Sequence, residues 1–163
     1  MTEQARKPIR PYVRLGLVGL GLCAVALGLN LRQNLPAWLG DMFFWQIVSG
    51  IALSLLLGYQ YVLLIARRFG RALDVQFHGH WHRYAGIAMI FLFALHAIRF
   101  GYAWTSSLSL VFLLAAASGL MNRETMRYRS KPLYLLWFGL HVGLSAALLP
   151  LALLHIWVAL AFK

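Results

Sequence analysis

The chain has 163 residues, 61% of them hydrophobic and 12% charged, with a formal net charge of +11 and a mean hydropathy of +0.71. A soluble globular domain is roughly 45–50% apolar and about 25% charged, so this composition excludes a water-soluble enzyme, a disordered tail and a nucleic-acid-binding module. The basic residues sit between long apolar runs, which is the pattern of a polytopic membrane protein, and at about 20 residues per span the length admits five or six spans and no second folded domain.

Residues 1–12 read as a basic cytoplasmic tail. Apolar segments follow at 13–31, 42–66, 83–104, 106–121 and 132–162. Each is expected to be helical, because a lone strand in lipid leaves its backbone N–H and C=O groups without partners. The connections fall at 32–41, 67–82, a tight turn near 104–107, and 122–131. The first run resembles a secretory signal at its start, but it continues past Ala24-Val25-Ala26 to Leu31. That is longer than a signal's apolar region, so a retained span is expected. Gly16, Gly19, Gly21 and Gly28, and Gly50 with Ala52 in the second span, would let neighbouring helices approach closely. Gly19-Leu20-Gly21 lies inside a span and opens no phosphate-binding helix, so it is no nucleotide fingerprint. Cys23 is the single cysteine, which rules out an intrachain disulfide and a CxxCH haem-attachment motif.

Lysine and arginine fix the orientation. Arg6, Lys7, Arg10 and Arg14, then Arg67, Arg68, Arg71 and Arg83, then Arg123, Arg127, Arg129 and Lys131 fall on one side of the membrane. Only Arg32, Arg99 and Lys163 fall on the other. The positive-inside rule places the first group in the cytoplasm. The expectation is an all-α polytopic transmembrane helix bundle of about five spans, N-terminus inside and C-terminus outside, forming a single membrane domain over residues 1–163. The basic loops set topology and meet anionic lipid headgroups, or dock an acidic partner.

The six histidines are the sharp feature. His78, His80 and His82 crowd the start of the third span, His96 lies deep in it, and His141 and His155 lie in the fifth. Ionisable side chains inside a bilayer are costly and mark functional sites by default. His82 and His96 are 14 residues apart, as are His141 and His155. At 3.6 residues per turn that is about 3.9 turns and a rise of about 21 Å, so each pair lies along one helix face. Spans three and five run in the same direction, and His96 and His155 lie at similar depth counted from their outer ends. Two histidine–histidine pairs at two levels are therefore expected, His82 with His141 and His96 with His155.

Zinc usually takes a third or fourth protein ligand, and the deep pair has no Cys, Asp or Glu in its own spans. Haem iron takes two axial ligands, and the apolar macrocycle fits between helices. Two non-covalent b haems are the expected cofactors, held by the helices of residues 82–163. Arg83 and Arg99 would neutralise haem propionates or snorkel to the two interfaces. The bland alternative for any one histidine is a bond to a backbone carbonyl or a place in a proton path. His78 and His80 are expected in a solvated interfacial turn, with haem ligation or surface metal binding as lesser options. Pro150 removes a backbone hydrogen bond between His141 and His155 and is a potential kink.

His82-Arg83-x-x-Gly86 followed by His96, with His141 and His155 on a later helix, resembles the ferric reductase-like transmembrane domain. That group includes the membrane cores of ferric reductases and NADPH oxidases and the haem-binding membrane subunit of the periplasmic methionine sulfoxide reductase system. The resemblance covers mainly residues 77–163, and it implies two b haems stacked across the bilayer between the third and fifth helices. The group commonly has six spans, whereas five are expected here. No flavin- or nicotinamide-binding sequence accompanies the spans, so direct oxidation of NAD(P)H is not expected.

The functional expectation is transmembrane electron transfer by a cytochrome b subunit in a bacterial cytoplasmic (inner) membrane. Redox partner proteins on one or both faces, or a membrane quinol, would supply and remove electrons. One alternative is a quinone-reactive anchor of a dehydrogenase, with the quinone head near Tyr59, Gln60 and Tyr61 or the His78/His80 turn. The other is a non-redox transporter or assembly protein with metal- or proton-binding histidines, which would need carboxylates near the midplane. Glu3, Asp41, Asp74 and Glu124 are the only acidic residues, all in tails or loops.

Overall fold

The computed structural model describes residues 11–28, 42–69, 72–97, 103–126, 128 and 130–162. They form five long helices and one short one: α1 (Pro11–Gly28), α2 (Met42–Phe69), α3 (Ala72–His96), α4 (Ala103–Leu120), α5 (Arg123–Met126) and α6 (Lys131–Ala161). No strand occurs among the described residues. Proline opens α1 and stands in the first turn of α6, where its missing N–H has no helical partner to lose. The chain is an all-α membrane helix bundle. α1, α2 from Phe44 onward, and α6 are each long and apolar enough to cross a bilayer, and α4 carries a slightly shorter apolar stretch, Trp104–Leu120.

Each apolar segment of the sequence coincides with one long helix, but α3 is displaced from its expected limits. It begins at Ala72 and ends at His96, so His78, His80 and His82 lie on a helix and not in an interfacial turn. The segment 72–96 contains no proline, and a helix satisfies its own backbone, so it continues past the lipid boundary without cost. Hydropathy marks where lipid ends, which is a different place from where the helix ends. Likewise Trp104–Ser107, expected as a turn, is the first turn of α4, and the last loop carries the single turn of α5.

α1 packs on α3 and, less extensively, on α4; α2 packs on α3, and α6 on α4. The buried centre joins Cys23 and Leu27 of α1, Met89, Ile90 and Phe93 of α3, Phe112 and Ala115 of α4, and Leu148 of α6. Phe93 and Phe112 stack with centroids 4.3 Å apart, and the Cys23 thiol donates to the Ile90 carbonyl. Gly16 and Gly19 face Leu120 and Ile90 closely, as expected of small residues at a helix contact. A Cβ at Gly21 or Gly28 would meet nothing within 4 Å among the described residues, so those residues show no close approach at those two positions. Leu17, Val18, Leu22, Leu55, Leu64 and Leu136 are among the exposed apolar side chains and form the lipid-facing surface.

α3 and α6, which carry the four paired histidines, do not pack directly on each other to any comparable extent. They belong to two hairpin-like units, α2 with α3 and α4 with α6. Tyr61 of α2 bridges the units by donating its hydroxyl proton to the Ser145 carbonyl of α6 at 2.8 Å.

Candidate functional site

Two pairs of imidazoles span the gap between α3 and α6. The His82 and His141 ring centroids are 6.3 Å apart with planes at 85°. Those of His96 and His155 are 6.1 Å apart at 87°. His82 and His141 form the lower pair, at the end of the bundle that bears Arg67, Arg68 and Lys131; His96 and His155 form the upper one. Both pairs are the ones the fourteen-residue spacing predicts. α6 runs unbroken through Pro150, so the proline does not turn His155 out of register.

The separations have a chemical meaning. Two imidazoles bound to opposite sides of one metal, each nitrogen about 2.0 Å from it and about 1.1 Å from its own ring centre, would have centroids about 6.2 Å apart. Among the described residues no group of three or more His, Cys, Asp or Glu gathers, so each donor set is a pair. A pair of imidazoles at this separation suits a metal whose remaining ligands come from elsewhere, as haem iron's do from its macrocycle.

Each pair has one firmly held ring. His96 Nδ1 lies 2.8 Å from Ser49 Oγ on α2, and His141 Nδ1 lies 2.9 Å from Ser118 Oγ on α4. The following residue is glycine in both cases. A Cβ on Gly50 would sit 3.4 Å from His96 Cε1, and one on Gly119 would sit 3.3 Å from His141 Cε1. A Ser-Gly dipeptide thus cradles each ring, serine at Nδ1 and glycine beneath Cε1. Sequence analysis missed both cradles, although Ser-Gly occurs at these two places and nowhere else in the chain. The other ring of each pair is different: Nδ1 of His155 is buried with no hydrogen-bond partner among the described residues, and Nδ1 of His82 meets no well-aligned donor or acceptor, although the Gln60 backbone carbonyl of α2 acts on the His82 ring.

Comparison with known proteins found no matching family model, no matching curated protein and no matching solved structure. Function is therefore read from the site.

Tryptophans flank both α6 histidines. Trp137 lies one turn before His141 with its ring parallel to within 3°, and its Nε1–H donates to the Ser118 carbonyl at 2.7 Å. Trp104, at the start of α4, lies 5.5 Å from His155. Arg67, read from sequence only as one of the basic-loop residues that set topology, stands within electrostatic reach of both lower imidazoles. Arg83 places its guanidinium over the Tyr12 ring at 5.3 Å, an attractive arrangement for a cation that draws it toward α1. Arg99 lies outside the described residues.

The remaining histidines form no part of either pair. His78 is half-buried, with Nδ1 3.3 Å from the Tyr59 hydroxyl, and exposed His80 lies 4.9 Å from the Tyr84 ring. Gln60, beside them on α2, has its buried Nε2 unpartnered among the described residues.

Proposed function

We propose that the chain is a di-haem b cytochrome subunit of a bacterial cytoplasmic membrane, similar to the ferric reductase-like transmembrane domain, that passes electrons between redox partners across the bilayer. The observation that carries this reading is the pairing of four imidazoles at two levels, each at the separation two axial ligands require. His82 and His141 would hold the lower haem, His96 and His155 the upper.

Haem, when bound, supplies a one-electron couple at each level. The protein's own groups do the rest. Ser49 and Ser118 hold His96 and His141 in place, and the Ser-Gly cradles fix the ring planes. A buried polar atom left without a partner costs about 1–3 kcal/mol, so the Nδ1 atom of His155, which has no partner among the described residues, is a standing cost in an apolar bundle. Coordination through the opposite ring nitrogen is an interaction strong enough to offset it. Arg67 would meet a propionate of the lower haem. Held by two histidines at each level, the haems would conduct electrons, and substrate chemistry would belong to a partner.

A second reading is favoured by the Tyr59–His78 contact. That pair, with exposed Phe77 and Trp81 beside it, would suit a quinone head approaching from the lipid, as in a quinone-reactive cytochrome b anchor.

The test is an optical spectrum of the purified protein, oxidised and dithionite-reduced, with pyridine haemochrome quantification. Two b haems per chain are expected. The near-perpendicular imidazole planes further predict a highly anisotropic low-spin ferric EPR signal. A folded but colourless protein, or high-spin haem alone, would refute the proposal.

A further inference from the structure

Both serines make two short contacts with a single hydroxyl. Ser49 Oγ lies 2.7 Å from the Trp45 carbonyl of its own helix and 2.8 Å from His96 Nδ1. Ser118 Oγ lies 2.8 Å from the Ala115 carbonyl and 2.9 Å from His141 Nδ1. A hydroxyl has one proton, and a carbonyl can only accept. Each serine therefore gives its proton to the carbonyl, and the contact to histidine is a hydrogen bond only if Nδ1–H donates to Oγ. A neutral imidazole with its proton on Nδ1 carries a bare lone pair on Nε2, the form that binds a metal. The hydroxyl, polarised by the carbonyl it serves, is a stronger acceptor for that Nδ1–H than a free serine would be.

The two cradles are placed diagonally. Ser49 serves the upper pair from α2 through the α3 histidine, and Ser118 serves the lower pair from α4 through the α6 histidine. Each pair thus contains one histidine whose Nδ1–H meets a serine; of the two others, His155 Nδ1 has no partner among the described residues, while the His82 ring lies under the influence of the Gln60 backbone carbonyl of α2. An Nδ1–H bond raises the basicity of the ligating nitrogen, and a more basic ligand favours ferric over ferrous iron.

We infer that Ser49 and Ser118 are positioning residues, each fixing the tautomer of one ligand and setting the reduction potential of one haem independently of the other. This inference rests on the di-haem reading, and the two are separable by experiment. A redox titration followed optically and by EPR would be run on the unaltered protein and on Ser49→Ala and Ser118→Ala, with His96→Ala and His141→Ala assigning the signals. Ser49→Ala should raise the potential of the upper haem and leave the lower unmoved; Ser118→Ala should do the reverse. The expected shift is about three- to tenfold in the reduction equilibrium, where tenfold corresponds to about 59 mV for one electron. Ser→Thr at either position keeps the hydroxyl and should restore the original potential, whereas isosteric Ser→Val should not.

Two haems in the unaltered protein with potentials indifferent to either serine, or moved together by both, would overturn the inference and leave the di-haem reading standing. If alanine or valine costs the haem, threonine must still retain it at the original potential, and a threonine variant that behaves like valine overturns the inference too. Absence of haem from the unaltered protein would remove the underlying reading itself.

Discussion

At the scale of single residues, the site is two independent pairs and not one cluster of four. The members of one pair face each other across about 6 Å, while the two levels are separated by about four helical turns, about 21 Å. Replacing His96 by alanine should therefore reduce haem from two to one per chain, with the remaining signal from the lower site. His141→Ala should leave only the upper. Pyridine haemochrome quantification of each variant measures this, and loss of both haems from either variant would contradict the pairing. The histidines were legible in sequence because an equal spacing on two helices survives without knowledge of packing. Their serine partners were not, since Ser49 and His96 are 47 positions apart, and the glycine that follows Ser49 but not Ser54, which bonds its own helix, carries no sign of a distant histidine.

At the scale of elements, what matters is the phase of α6. Its 31 residues are about 46 Å long as a helix, and both histidines occupy one face of it. Insertion of one alanine between Leu144 and Leu148 should rotate everything beyond it by about 100°. His141, held by Ser118 and flanked by Trp137, should stay in place, while His155 should leave its pair. The expected result is one haem with the lower-site spectrum, again read by haemochrome and EPR. Helix number and type were plain from the apolar runs, whereas helix ends were not. α3 begins eleven residues before its apolar segment, because helix formation needs only that the backbone be free of breakers, and lipid burial is a separate demand. The bland expectation for His78 and His80 failed for the same reason.

At the scale of the whole molecule, Arg67, Arg68 and Lys131 gather at one end, exposed, and the lower histidines lie nearest that end. The charge asymmetry predicts that this end is cytoplasmic. In a Cys23→Ala background, Lys131→Cys should react with a membrane-impermeant maleimide only from the cytoplasmic side, and Phe162→Cys only from the opposite side. Labelling in the reverse sense would invert the assignment. On the proposed electron-transfer reading, orientation would also set which partner meets which level, the His82/His141 level being the nearer one to the basic end.

The sequence alone determined the solvent, the number and kind of the long helices and the candidate ligands of this protein. Lipid forbids unpaired backbone, so apolar runs must be helices, and helical geometry is regular enough that a fourteen-residue interval fixes which side chains share a face. Tertiary packing alone decided which groups stand next to those ligands. It brought Ser49 to His96, Ser118 to His141 and Arg67 to the lower pair, and it took Arg83 to Tyr12. Contacts between distant helices depend on the shapes of whole surfaces, and no interval along one chain records them.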